Sequence, residues 1–98
     1  MVRRIVWSGN ASTDRYKIFE YWFKRLGSKT YIRKLNASFN RTIRLIAKHP
    51  GIGTRYENEE VLRYFVVEYY LIYYRIHKDV IEVLHVWDSR RNPDDFTL

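Results

Sequence analysis

Seven side chains in the C-terminal half of this sequence have the chemistry to act on a phosphodiester: Arg63, Tyr70, Tyr74, Arg75, His85, Arg90 and Arg91. Arginine can fork two donors onto one phosphate. Tyrosine can stack on a splayed base. Histidine exchanges protons near neutral pH. A ribonuclease must activate a ribose 2′-OH, stabilise a phosphorane-like charge and protonate a leaving oxygen. In that role Arg63, Arg75 and Arg90 would carry charge stabilisation, and His85 or Tyr74 would be acid or base. The same residues have a plainer use, because Tyr and Arg are good cross-strand partners. Alternation also divides the set, since the adjacent Tyr74 and Arg75 must face opposite sides of a strand.

Other chemistries lack their templates. With no cysteine, thiol nucleophiles, disulfides and Cys-based zinc sites are excluded. His49, His77 and His85 do not have metal-ligand spacing, so neither a metal nor a cofactor is expected. No Walker A loop, dinucleotide fingerprint, nucleophile elbow or His-Glu-x-x-His is present. Gly51-Ile52-Gly53 reads as a turn rather than a phosphate cradle.

The charge is divided unevenly along 98 residues of net charge +7. Residues 1–48 carry twelve Lys and Arg against Asp14 and Glu20, a net +10, whereas residues 49–98 are net −3. A basic half points to a polyanion or an acidic protein as partner. No apolar run approaches the length of a membrane span, and the N-terminus does not read as a signal peptide, so a cytoplasmic protein with no membrane partner is expected.

The elements along the chain must position these residues. Arg3 to Ser8 alternates as a short strand. Gly9-Asn10 reads as a break, with Ser12, Thr13 and Asp14 as candidate N-caps. The spacing of Ile18, Phe19, Trp22, Phe23 and Leu26 predicts a helix ending at Gly27. Ser28 is placed to cap a second helix, from about Lys29 to Lys48, with Ile32, Leu35, Phe39, Ile43 and Ile46 on one face. His49-Pro50-Gly51 stops it. A polar loop over residues 51–60 leads into three strands, Val61 to Val67, Tyr69 to Ile76 and Val80 to Trp87, joined by short turns. The tail, with Asn92-Pro93, leaves the sheet.

The order β-α-α-β-β-β predicts one α+β domain over residues 1–98, a helical hairpin packed on a four-stranded, mainly antiparallel sheet. Trp22, Phe23, Leu26, Ile32, Phe39, Ile43, Leu71 and Val83 are its expected core. Burying a side chain of that size stabilises by roughly 1.5–3 kcal/mol.

The stretch VLRYFVVEYYLIYYRIHKDVIEVLHVWDSRRNP resembles the C-terminal half of RelE/ParE-superfamily toxins of type II toxin–antitoxin systems. The Leu-Arg entering one strand, Tyr-Leu-Ile-Tyr-Tyr-Arg in the next, Val-Leu-His-Val in the last and Arg90-Arg91 carry the likeness. His49-Pro50-Gly51-Ile52-Gly53 is similar to the loop that follows the second helix in those toxins. The resemblance implies a sheet with the first strand beside the last, and a cognate acidic antitoxin with which the toxin forms a hetero-oligomer. It leaves two activities open: RelE-like members cleave mRNA on the ribosome, and ParE-like members inhibit DNA gyrase.

The sequence departs from the ribonuclease type at several places. Tyr70 stands where those members commonly carry a central-strand arginine. Thr54 to Glu60, with three glutamates, replaces their lysine-rich patch, and the terminal Tyr or His-Tyr pair is missing. Losing one preorganised charge donor costs on the order of 2.7–4 kcal/mol at a transition state. The resemblance therefore favours a ParE-like toxin of the plasmid-stabilisation kind, without a catalytic site, that uses Arg63, Tyr70, Arg75, Arg90 and Arg91 to bind its target. A RelE-like mRNA interferase and a basic nucleic-acid-binding adaptor remain the alternatives.

Overall fold

Ser8 ends the first strand and starts the first helix with one hydroxyl. Its Oγ accepts from the Ala11 N–H at 3.0 Å and donates to the Leu84 carbonyl at 2.9 Å. In the computed structural model, which describes residues 2–91, 93–96 and 98, β1 spans Arg4–Trp7 and α1 spans Gly9–Leu26. The expected break at Gly9-Asn10 does not occur. Ser8 is extended at φ −66° and ψ 163° and is the N-cap, so Ser12, Thr13 and Asp14 lie inside the helix.

Gly27 ends α1 as anticipated, at φ 69°, with its N–H on the Phe23 carbonyl at 2.8 Å. The next helix, α2 over Thr30–Lys48, has Lys29 rather than Ser28 at its N-cap position, without a side-chain cap bond. His49 closes α2, and Pro50–Ile52 forms one 3₁₀ turn.

The sheet has five strands, one more than expected. A two-residue strand, β2 at Thr54–Arg55, forms within the polar loop and pairs with β3 at Leu62–Val67. The other two are β4 at Tyr70–Ile76 and β5 at Val80–Asp88. The order is β1-β5-β4-β3-β2, with β1 parallel to β5 and the other pairs antiparallel. A bulge sets Tyr74 opposite Val83 but Tyr73 opposite His85, leaving Leu84 as the extra residue. It resets the alternation so that Val83 and Val86 both reach the core.

That core lies between the helices and one face of the sheet. Ala11, Leu35, Phe39, Ile43, Tyr70, Ile72, Val83 and Val86 form its main cluster, and Ile46, Tyr74 and Ile81 form a smaller one. Ile18 and Trp22 pack against it half-buried. Two expected core residues, Phe23 and Leu26, are instead 45% and 49% exposed, and Ile32 and Leu71 are only half-buried. The apolar stripe of α1 is wider than the surface that the sheet offers it. Ala11, Ile18 and Trp22 take the sheet side, and Phe23 falls on the outer side.

Tyr73, on the opposite sheet face, is covered by Phe96 from the tail, whose ring stacks on it at 4.6 Å and also meets Trp87 and His85. The tail thus returns over the sheet after leaving it at residues 89–91. Asn92 of the anticipated Asn92-Pro93 break lies outside the described residues.

Candidate functional site

The seven side chains singled out by their chemistry do not form one surface. Alternation along β4 turns Tyr70 and Tyr74 toward the helices, where they are 1% and 0% exposed. Tyr74 Oη donates to the Pro50 carbonyl at 2.6 Å and accepts from the Gly53 N–H at 3.0 Å. Burial pushes its pKa up, against the lowering effect of the Gly53 N–H and the Arg63 charge. Arg63 binds the same loop. Its guanidinium donates to the carbonyls of Glu60, Gly51 and Gly53 and to the Glu60 carboxylate, all within 3.2 Å. Every nitrogen of that guanidinium is engaged inside the protein.

Arg75 projects to the opposite sheet face, 3.6 Å from the Glu59 carboxylate. His85 is held from α1. Its Nδ1 lies 2.9 Å from Asp14 Oδ2, which also accepts from the Val86 N–H at 3.0 Å. Asp14 therefore satisfies backbone on the stretch of β5 that extends beyond β1.

Tyr70, Arg90 and Arg91 are the part of the set that does come together. They line a cavity of about 430 Å³ between α1 and β5. The rest of its wall includes Asp14, Lys17, Ile18 and Tyr21 on α1, and Val86 and Asp88 on β5. Composition did not single out these α1 residues. Their spacing of three, four and seven does place them on one helix face, which is the signal that could have found them.

Arg90 is fixed in this wall by its neighbours. Nε and Nη2 reach the two Asp88 carboxylate oxygens at 3.0 and 2.8 Å, and the guanidinium sits 4.6 Å from the Tyr69 ring and 5.7 Å from that of Trp22. Arg90's hydrogen bonds hold the Asp88 carboxyl below its ordinary range and push Arg90 further up. Tyr70 Oη accepts from Trp22 Nε1 at 2.7 Å, and burial raises the Tyr70 pKa. Arg91 lies over Trp87 at 4.6 Å. Among the described residues, neither Arg91 nor Lys17 is paired with a carboxylate.

The outer side of the helical hairpin is a second candidate surface. Tyr16, Phe19 and Ile32 line a shallow groove there, rimmed by Arg15 and Arg33, which continues to Phe23, Lys24 and Lys29. Of the cations on the two helices, only Lys24 has a carboxylate partner among the described residues, Glu20 at 3.6 Å. No group of His, Asp and Glu suited to a metal is found among the described residues, and none of their helices is long and apolar enough to cross a membrane.

The sequence model of a family described as the ParE toxin of type II toxin-antitoxin system, parDE, matches residues 5–93. The chain belongs to the ParE toxin family. Membership in a parDE family implies an antitoxin partner. Among solved structures, one described as the chromosomal ParDE TA system from P. aeruginosa has the same fold, with a TM-score of 0.75 at 13% identity. The match covers 91% of this ParE-family chain and 98% of that one. No curated protein matches the sequence significantly. The expected sheet order, with the first strand beside the last, is found, and the fifth strand extends its opposite edge.

Proposed function

We propose that this protein is a ParE-type toxin that inhibits DNA gyrase and is neutralised by an acidic antitoxin. The family match carries the toxin class. The gyrase reading is favoured over RNA cleavage by the inward engagement of Arg63 and Tyr74, two of the groups a ribonuclease would need at its phosphate. The antitoxin reading is supported by the helical hairpin. Arg15, Lys29 and Arg33, which have no carboxylate partner among the described residues, rim an apolar groove there, a complement to an acidic segment with apolar anchors. Association should be fast at low salt and slow as salt screens it.

One observation favours the ribonuclease alternative. Asp14 orients His85 as a carboxylate orients a catalytic imidazole, with Nδ1 engaged and the other ring nitrogen outside that contact.

Two assays run side by side separate these activities. The protein is titrated into a gyrase supercoiling reaction and, in parallel, into programmed ribosomes with mapping of mRNA ends. Cleaved DNA–gyrase complex should accumulate without ribosome-dependent breaks. Absence of gyrase inhibition at any dose sinks the leading reading. If RNA is cut, His85→Ala and Arg90→Ala should each lower cutting steeply, and cleavage surviving both removes those residues from the site.

A further inference from the structure

Helix α2 presents three faces. Leu35, Phe39, Ile43 and Ile46 point into the core, and Ile32, Arg33, Asn36 and Asn40 line the outer groove beside α1. The third face carries Lys34, Ala37, Arg41, Arg44, Leu45 and Lys48, all exposed. Lys34, Arg41 and Lys48 recur every seven residues, so they stack on one side of the helix over about 21 Å, with Arg44 beside them. None of the four cations forms a salt bridge among the described residues. The sequence has no Asp or Glu between Glu20 and Glu57. The helix dipole accounts for Lys48, which lies in the last turn, but not for Lys34 or Arg41.

We propose that this face of α2 binds the phosphate backbone of duplex DNA without reading its sequence. Charge alone is enough for such contact. A protein interface is anchored by apolar and aromatic side chains at its centre, and this face offers only Ala37 and Leu45. Single-stranded nucleic acid is held by rings on which bases stack, and the face has none. A membrane surface takes up the apolar side of a helix, which in α2 is buried in the core. The duplex suits the spacing, because about 21 Å covers roughly six base-pair steps of regularly placed phosphates. This face is separate from the outer groove and from the cavity between α1 and β5. Its ligand is DNA alone, so the inference stands or falls apart from the gyrase reading.

The test titrates the full chain into a fluorescein-labelled duplex of about two helical turns, followed by anisotropy over a range of salt concentrations. Two unrelated sequences should bind alike. The log–log salt slope should be about −3.6, from −0.9 for each of four phosphates. Lys34→Gln and Arg41→Gln should each weaken binding about eightfold at ~0.1 M salt and make the slope shallower by about 0.9, since one contact scales as salt to the power −0.9. Glutamine is nearly as good a helix former, so the Tm of both variants should hold. Arg25→Gln, an equal loss of charge in the last turn of α1, should change binding by less than about twofold, because salt screens a cation off the contact face. Absence of saturable binding at low salt, or equal weakening by Arg25→Gln and Arg41→Gln, overturns the proposal. Tighter binding of the single strand overturns it in favour of single-stranded nucleic acid. Displacement of the duplex by an equal concentration of a polyglutamate peptide of the same charge overturns it in favour of an acidic protein.

Discussion

At the β3 side of the sheet, Arg63 and Tyr74 turn every polar group inward, onto the loop between α2 and β3. At the β5 side, Arg90 and Tyr70 do similar work for Asp88 and Trp22, but Lys17 and Arg91 beside them form no salt bridge among the described residues. The two regions use the same residue types. Donor accounting, rather than residue type, separates a clamp from a surface able to receive something.

The clamp should break hardest. Gly53 lies so close to it that an added Cβ would sit 2.5 Å from Tyr74 Oη and 2.7 Å from the Tyr64 carbonyl. Backbone cannot yield there as a flexible side chain would. Gly53→Ala should cost about 3 kcal/mol, the upper end of ordinary overpacking. For a domain of this size that lowers Tm by more than 10 °C, at ~4–8 °C per kcal/mol, measurable by thermal denaturation. A Tm within a degree or two of wild type would show that the loop is looser than described.

Tyr74→Phe should follow, at about 2 kcal/mol, because it leaves the Gly53 N–H and the Pro50 carbonyl without their partner. Tyr70→Phe strands only the half-buried Trp22 indole N–H and should cost about 1 kcal/mol in urea denaturation. If the order of these two is reversed, the comparison between the regions is wrong.

Both regions should respond at the alkaline end of the pH scale, and the β5 side at the acid end as well. Burial raises the tyrosine pKa values of Tyr70, Tyr73 and Tyr74, so the unfolded chain loses those protons first. Stability is present below the unfolded value, about 10, and falls as pH rises through it. Asp88 is the reverse case, its folded value being lowered by Arg90. Its contribution is present above the unfolded value, about 4, and is lost as pH falls through the lower folded one. Asp88→Asn should flatten the acid limb of a urea-midpoint profile, with a smaller effect on the alkaline limb because the Asp88 charge helps to raise Tyr70. Tyr74→Phe should flatten the alkaline limb and leave the acid limb alone.

The smallest effect expected is a gain. Glu68 turns the β3–β4 hairpin at φ 55°, a left-handed conformation that favours glycine. Glu68→Gly should stabilise by about 0.5 kcal/mol, visible as a shift in denaturation midpoint.

The fold was legible because each element carries its own signal: the three-and-four spacing of α2, Gly27 after α1, and the apolar runs of β3 to β5. What was hidden is what depends on distant chain. Ser8 caps α1 while also bonding Leu84, so the strand-to-helix boundary falls earlier than Gly9-Asn10 suggested. The two-residue β2 has no periodicity to read and exists because β3 is there to pair with it. The bulge at Leu84 decided which way the last strand pointed its residues. In the site, Arg63 and Tyr74 advertised phosphate chemistry, and only their contacts with the Gly51–Gly53 loop showed them otherwise engaged. Lys17 and Tyr21 entered because α1 lies along β5.

The pairing of β1 with β5 joins the first strand of the sheet to the last, with Arg4 beside Val80 and Trp7 beside Val83. During synthesis β1 has no partner in the sheet until β5 has been made. Translation at about 5–20 residues per second leaves the helical hairpin waiting several seconds for the strands that cover it. A message broken before codon 80 would yield a chain that cannot close its sheet. Long-range closure of this kind also slows folding itself.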